Sequence, residues 1–224
     1  QKAKTPTFGG LIFVVVPIAV SLLLNGLNFS KDLILLIFVF ASYGLIGLID
    51  DYKIVKEGKN DGISPKVKLL SQLGLSLIFY FLYILYGGNT LLNLPFTNGV
   101  DLGFLYIPFI MFLLSGTSNA VNLTDGMDGL AGGTVVIALI PFTWFAYQAN
   151  RMEIVLLLLS VLASLLGFLV YNRKPAQIFM GDVGSLALGA LLASVSVLLG
   201  KEILLAVIGF VFVFETITVI MQRI

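Results

Sequence analysis

Phe104–Ala149 reads FLYIPFIMFLLSGTSNAVNLTDGMDGLAGGTVVIALIPFTWFAYQA, two long apolar runs joined by one polar island, Ser118–Gly133. A helix needs about 20 apolar residues to cross a hydrocarbon core. The stretch therefore predicts two membrane-crossing helices that meet at a bilayer surface, with the island exposed there to water. Within the island Asn122, Asp125 and Asp128 follow at three-residue spacing, so that in a helix they would form one stripe of oxygen ligands. Gly126, Gly129, Gly132 and Gly133 leave that stripe open to a cation, a metal-bound phosphate or a nucleotide. The plainer alternative is a loop whose Asp and Asn cap the next helix.

Moving outward, the same pattern recurs along the chain. Apolar spans are expected near Gly9–Leu27, Leu33–Ile49, Leu69–Tyr86, Phe104–Ala120, Gly129–Ala149, Ile154–Tyr171, Val183–Leu199 and Ile203–Met221. With 58% hydrophobic and 11% charged residues, and a mean hydropathy of +1.05, a soluble domain is excluded. The fold class is an all-α polytopic membrane protein with about eight transmembrane helices, read as one membrane domain. Gly87–Gly103, GGNTLLNLPFTNGVDLG, carries an Asn-Gly turn signal and predicts a small β-hairpin on the outer surface.

Charge placement orients the chain. Lys2, Lys4, Lys53, Lys56, Lys59, Lys66, Lys68, Arg173, Lys174 and Arg223 fall on one side of these spans, and Lys31, Arg151 and Lys201 on the other. The positive-inside rule puts the first side in the cytoplasm. Asp50, Asp51, Asp125, Asp128 and Asp182 sort to that same side, as one shared site requires. The cost of charge at the bilayer centre explains why acids sit at an interface, but not why they share one. A net charge of +1 points to no nucleic acid or other polyanionic partner. The chain contains neither Cys nor His, which removes thiolate nucleophiles, Cys-bound metal and imidazole bases. Carboxylates, Lys and Tyr remain for proton transfer.

Leu48–Tyr52, LIDDY, is read as the end of the second span, with Asp50 and Asp51 at a helix C-terminus. There the macrodipole opposes negative charge unless a cation answers it. Lys66 and Lys68 precede the third span, within reach of a diphosphate in the site; the other lysines of that loop serve topology and lipid headgroups. Lys174–Ser185, KPAQIFMGDVGS, offers Phe179 for stacking on a base, or as a lipid anchor, and Asp182 on a turn opening a span, as a ligand or a cap. Thr5–Gly10, TPTFGG, suits a phosphate contact or a plain cap. Glu215 is the one acid inside a predicted span, functional or hydrogen-bonded within the bundle.

TPTFGG, GLIDDY, NLTDGMDGLAGG, PAQIFMGDVGSLALG and ETITVIMQ, in this order and spacing, resemble the bacterial phospho-N-acetylmuramoyl-pentapeptide transferases (the MraY family). These belong to the polyprenyl-phosphate N-acetylhexosamine 1-phosphate transferase superfamily. The resemblance runs from Thr5 to Gln222. It implies transfer of phospho-N-acetylmuramoyl-pentapeptide from its UDP carrier to undecaprenyl phosphate, giving lipid I and UMP with Mg²⁺. By the motif matches Asp50 and Asp51 correspond to catalytic aspartates and Asp182 to the magnesium ligand. Asn122, Asp125, Asp128, Asn172 and Phe179 match positions lining the uridine and diphosphate pocket, and Lys66 a phosphate-contacting lysine. The resemblance further implies a multi-pass protein of the bacterial plasma membrane with its site toward the cytoplasm, and it admits a homodimer. The family carries a first helix before TPT and a histidine-rich cytoplasmic segment beyond ETITVIMQ. Neither lies in these residues, so the chain is expected to be a single transferase domain lacking both.

The residues suit such chemistry. Attack of one phosphate on another gathers negative charge, which calls for a metal held by carboxylates. Asp50 or Asp51 would take the last proton of the lipid phosphate, or one would form a covalent phosphosugar intermediate. The nearest rival is transfer of N-acetylglucosamine 1-phosphate to a polyprenyl phosphate. A cation-coupled transporter is the rival of another class; it would favour acids near the midplane and inverted repeats.

Overall fold

The computed structural model describes residues 6–25, 29–58, 62–94, 97 and 99–223. Helices α1 (Gly10–Asn25), α2 (Lys31–Glu57) and α3 (Pro65–Leu85) come first. Strands β1 (Leu91–Leu92) and β2 (Val100–Asp101) follow, and after one 3-10 turn come α4 (Tyr106–Thr124), α5 (Leu130–Gln148), α6 (Met152–Asn172), α7 (Gly181–Leu198), α8 (Glu202–Ile208) and α9 (Phe210–Arg223). The strands pair antiparallel, Leu91 with Asp101 and Leu92 with Val100, which is the expected hairpin. Its expected turn residue Asn98, like Thr5, Lys2, Lys4 and Lys59, lies outside the described residues.

Each expected span has a helical counterpart. Six helices are long and apolar enough to cross a membrane, and the α8–α9 pair makes a seventh, bent by 68° at Gly209. The remaining one, α1, is a shorter apolar helix, Gly10–Leu24. The break divides the expected span Ile203–Met221 at a glycine, the non-proline residue with the lowest helix propensity.

Local signals set the helix ends. Ser30 Oγ accepts the Leu33 N–H at 3.2 Å to open α2, and Gly58 closes it in the left-handed region at φ 62°. Ser64 caps α3, with Pro65 at its first position, where no N–H is needed. The second span therefore runs about two turns past its expected end, and Asp50 and Asp51 lie within α2 rather than at its C-terminus. The macrodipole does not act on them as expected.

The axis of the bundle is α7. Every residue from Val183 to Leu198 is buried, and α2 and α4 pack most extensively against it. Close approach is what the glycines provide. A Cβ on Gly189 would lie 2.6 Å from the Ser118 Cα, and one on Gly47 would overlap the main chain of Asp182. The first turn of α7, which carries Asp182, thus rests directly on α2.

Candidate active site

Asp50 and Asp51 are neighbours on α2, buried to 3% and 6% exposure, and Asp182 is the second residue of α7. The close α2–α7 packing brings one oxygen from each of these carboxylates within 4.8 Å of the others. Lys68, on the first turn of α3, enters this group. Its Nζ lies 3.1 Å from Asp50 Oδ2 and donates to Asp182 Oδ2 at 2.5 Å. Among the described residues three carboxylates face one ammonium, an excess of negative charge in a largely dehydrated place. Such a set of hard oxygen donors fits a divalent cation such as magnesium.

The carboxylates are separately fixed. Asp51 serves as the cap of α7, its Oδ1 accepting the Asp182 N–H at 3.1 Å and its Oδ2 the Val183 N–H at 3.0 Å. Asp182 is therefore not its own helix cap. Asn122 Nδ2 donates to Asp182 Oδ1 at 2.8 Å and to Ser185 Oγ at 2.9 Å. Asp50 Oδ1 accepts the Ile63 N–H at 2.7 Å, while Lys53 Nζ donates to the Gly62 carbonyl at 3.0 Å. Gly62 and Ile63, just before α3, are thereby held against Asp50. Gly62 packs so closely on that carboxylate that a Cβ would lie 2.6 Å from its Cγ.

The polar island departs from the expected stripe. Asn122 lies in α4, Asp125 caps its end, and Asp128 sits in the turn before α5, so the three share no helix face. Asp128 Oδ2 accepts the Ala176 N–H at 3.2 Å. Asn172, buried at the end of α6, accepts the Gly129 N–H at 3.0 Å and donates to the Ile178 carbonyl at 2.8 Å. Asp128 and Asn172 thus join the turn after α4 to the loop before α7, forming the rim beside the carboxylates. Phe179 is half-buried in that loop. Its N–H donates to the Pro6 carbonyl at 3.0 Å, and the Gly9 and Gly10 N–H groups donate to the Phe179 and Met180 carbonyls at 2.9 Å each. The glycines of TPTFGG accordingly seat the segment before α1 against this loop.

Lys66 is exposed on α3, away from the carboxylates that Lys68 reaches. The two lysines are two positions apart, about 200° around a helix, so the face that admits one turns the other outward. Of the two lysines expected within reach of a diphosphate, Lys68 is the one that enters the carboxylate cluster. The sequence held a usable signal in Lys68, Gln72 and Ser76, polar residues at four-residue spacing along one face of an otherwise apolar helix. Glu215, half-buried on α9, is not among the carboxylates that meet.

Residues 33–200 match the model of glycosyl transferase family 4. The chain is 47% identical over 223 residues to the phospho-N-acetylmuramoyl-pentapeptide-transferase of Streptococcus sanguinis, covering 99% of this chain and 68% of that one. The corresponding enzyme of Streptococcus pneumoniae is 48% identical over 225 residues, and that of Streptococcus agalactiae 45% over 228. Each covers 99% of this chain, and the chain spans 68% and 67% of their lengths.

Proposed function

We propose, from the premise that the chain belongs to glycosyl transferase family 4 and within it to the phospho-N-acetylmuramoyl-pentapeptide transferases, that the Asp50, Asp51, Asp182 and Lys68 cluster is its catalytic centre. The chain is a membrane-embedded phosphoglycosyl transferase of the type that forms lipid I in peptidoglycan synthesis. Its proposed donor is UDP-N-acetylmuramoyl-pentapeptide and its acceptor undecaprenyl phosphate. An oxygen of the lipid phosphate forms a bond to the sugar-bearing phosphorus, the bond from that phosphorus to the UMP oxygen breaks, and UMP leaves.

Asp182 and Asp51 are the residues that would hold Mg²⁺, with Asp50 beside them. When bound, the ion neutralises the diphosphate and polarises the bond that breaks. Asp51 is held in place by two amide donors at the start of α7. Asn122 fixes the orientation of Asp182. Asp50 is the residue we assign to accept the lipid phosphate's proton; its Oδ2 faces the Lys68 ammonium at 3.1 Å. Lys68 shares its ammonium between the carboxylates and the incoming phosphates, limiting repulsion as charge accumulates. At the rim, Phe179 stacks on the uracil, Asp125, Asp128 and Asn172 shape the nucleoside pocket, and Lys66 meets phosphate from its outer edge.

The acceptor route is a groove of about 310 Å³ between α4 and the bent α8–α9 pair, lined by Phe112, Leu113, Ala120, Phe212 and Ile217 among others. It runs along α4 to within one turn of Asn122. A polyprenyl tail lying there would keep its phosphate at the level of the carboxylates. The cytoplasm is the side we assign to the cluster, from the lysines around it.

The observation that carries this reading is the meeting of Asp50, Asp51, Asp182 and Lys68 from three helices. The test is UMP release by the Asp50→Asn, Asp51→Asn and Asp182→Asn variants across a magnesium titration. Severe loss is expected in each, and near-normal turnover would remove that residue from its role.

A further inference from the structure

We propose that Gln72 and Asn119 are positioning residues, clasping α3 to α4 one helical turn behind the site so that Lys68 and Asn122 stay on the two oxygens of Asp182. The inference rests on the reading of Lys68 given above. Lys68 and Gln72 are four apart on α3, and Asn119 and Asn122 three apart on α4, so each clasp residue shares a face with a donor to Asp182. Asn119 Nδ2 donates to Gln72 Oε1 at 2.7 Å, and Gln72 Nε2 donates back to Asn119 Oδ1 at 3.4 Å. Asn119 Nδ2 also donates to the Ser115 carbonyl at 2.8 Å, which fixes its side chain along α4. The Gln72 carbonyl accepts the Tyr43 hydroxyl at 2.9 Å and the Ser76 hydroxyl at 2.8 Å. Tyr43 belongs to α2, the helix of Asp50 and Asp51. The three helices that supply Asp50, Lys68 and Asn122 are thus tied together by one polar network.

This network is the polar part of what sets the rotation of α3, beside the ring contacts of Phe79, Tyr80 and Tyr83 farther along the helix. In the most apolar 18-residue stretch of α3 only 17% of residues are buried, against 89% in α7. Gln72, Ser76 and Phe79 are the buried residues of α3, and two of the three are polar. Lipid does not distinguish one apolar face of a helix from another, so side-chain hydrogen bonds carry orientation in a membrane. A turn of α3 by one residue, about 100°, would withdraw Lys68 from Asp50 and Asp182.

The test uses full-length enzyme in detergent micelles, with Lys68→Met as reference. Gln72→Leu removes both clasp bonds, yet leaves an apolar side chain of similar size in the same buried place. We expect kcat to fall about tenfold, with KM for the UDP-linked donor and the thermal unfolding midpoint nearly unchanged. Gln72→Asn combined with Asn119→Gln moves one methylene across the pair and should restore most of the turnover. Should Gln72→Leu fail to accumulate, Asn119→Leu opens the same pair from the other helix, with the same loss expected. Full activity in Gln72→Leu, or activity that falls only in step with thermal stability, would overturn the proposal. So would failure of both single variants to fold, which would make the pair a structural tie. If Lys68→Met itself is fully active, the reading of the site fails; if it is impaired while Gln72→Leu is not, the clasp alone fails.

Discussion

The two ends of the bundle contain the same kinds of side chain and use them differently. At one end lie Asp50, Asp51, Asp182 and Lys68. At the other, about 27 Å away along α2 by the helical rise, lie Asp32, Arg151, Tyr106, Lys201 and Glu202. The second end has a polar cavity of about 360 Å³, lined by Asp32, Tyr83, Asn93, Arg151 and Glu202 among others. Among the described residues Asp32 and Glu202 are there offset in number by Arg151 and Lys201, although the buried Glu202 Oε2 has no hydrogen-bond partner. Arg151 forms an ion pair with Asp32, joining the start of α2 to the start of α6, and the Tyr106 hydroxyl donates to Glu202 Oε1 at 2.8 Å. Lys201 lies 5.4 Å over the Phe145 ring in the adjoining turn. Among the described residues the carboxylate cluster has one ammonium for three acids. Buried acidic residues are thus common to both ends, and an excess of negative charge is what separates a site suited to a cation and phosphates from one that fastens helices together.

That contrast can be broken in graded steps. Chelation of divalent metal is expected to reduce UMP release to background and magnesium to restore it. The unfolding midpoint should move little, because Lys68 already bridges two of the carboxylates without a cation. Asp182→Asn should lower turnover about a thousandfold, measured as UMP release at saturating magnesium. Lys68→Met should cost about a hundredfold in kcat, the scale of one lost electrostatic contact to a developing charge. Arg151→Met, at the balanced end, should change turnover by less than about twofold and lower thermal stability only slightly, since that pair is partly exposed to solvent. A large loss of turnover in Arg151→Met would erase the distinction between the ends; a small loss in Lys68→Met would weaken it.

Much of this was legible in the sequence because membrane physics is strict about length and charge. The apolar runs gave the helices, and the side shared by Asp50, Asp51, Asp125, Asp128 and Asp182 anticipated the meeting of Asp50, Asp51 and Asp182, though Asp125 and Asp128 are not in that group. What stayed hidden depended on local backbone geometry. The polar residues after Ile49 suggested that the second span stops there, yet a helix that emerges from lipid continues until a cap ends it, here Gly58. The stripe of Asn122, Asp125 and Asp128 assumed one continuous helix, whereas α4 ends at Thr124. Choosing between Lys66 and Lys68 required the rotation of α3, which hydropathy does not contain. The bend at Gly209 was similarly invisible within an unbroken apolar run.

The enclosure of α7 bears on how the chain tolerates change. A helix with no lipid-facing side is selected by volume rather than oiliness, which is why Ser185, Ser194 and Ser196 sit comfortably within it. Replacements at its small positions, such as Gly189, Ala190 and Ala193, should accept small polar residues and reject large apolar ones, the reverse of what a residue facing acyl chains permits.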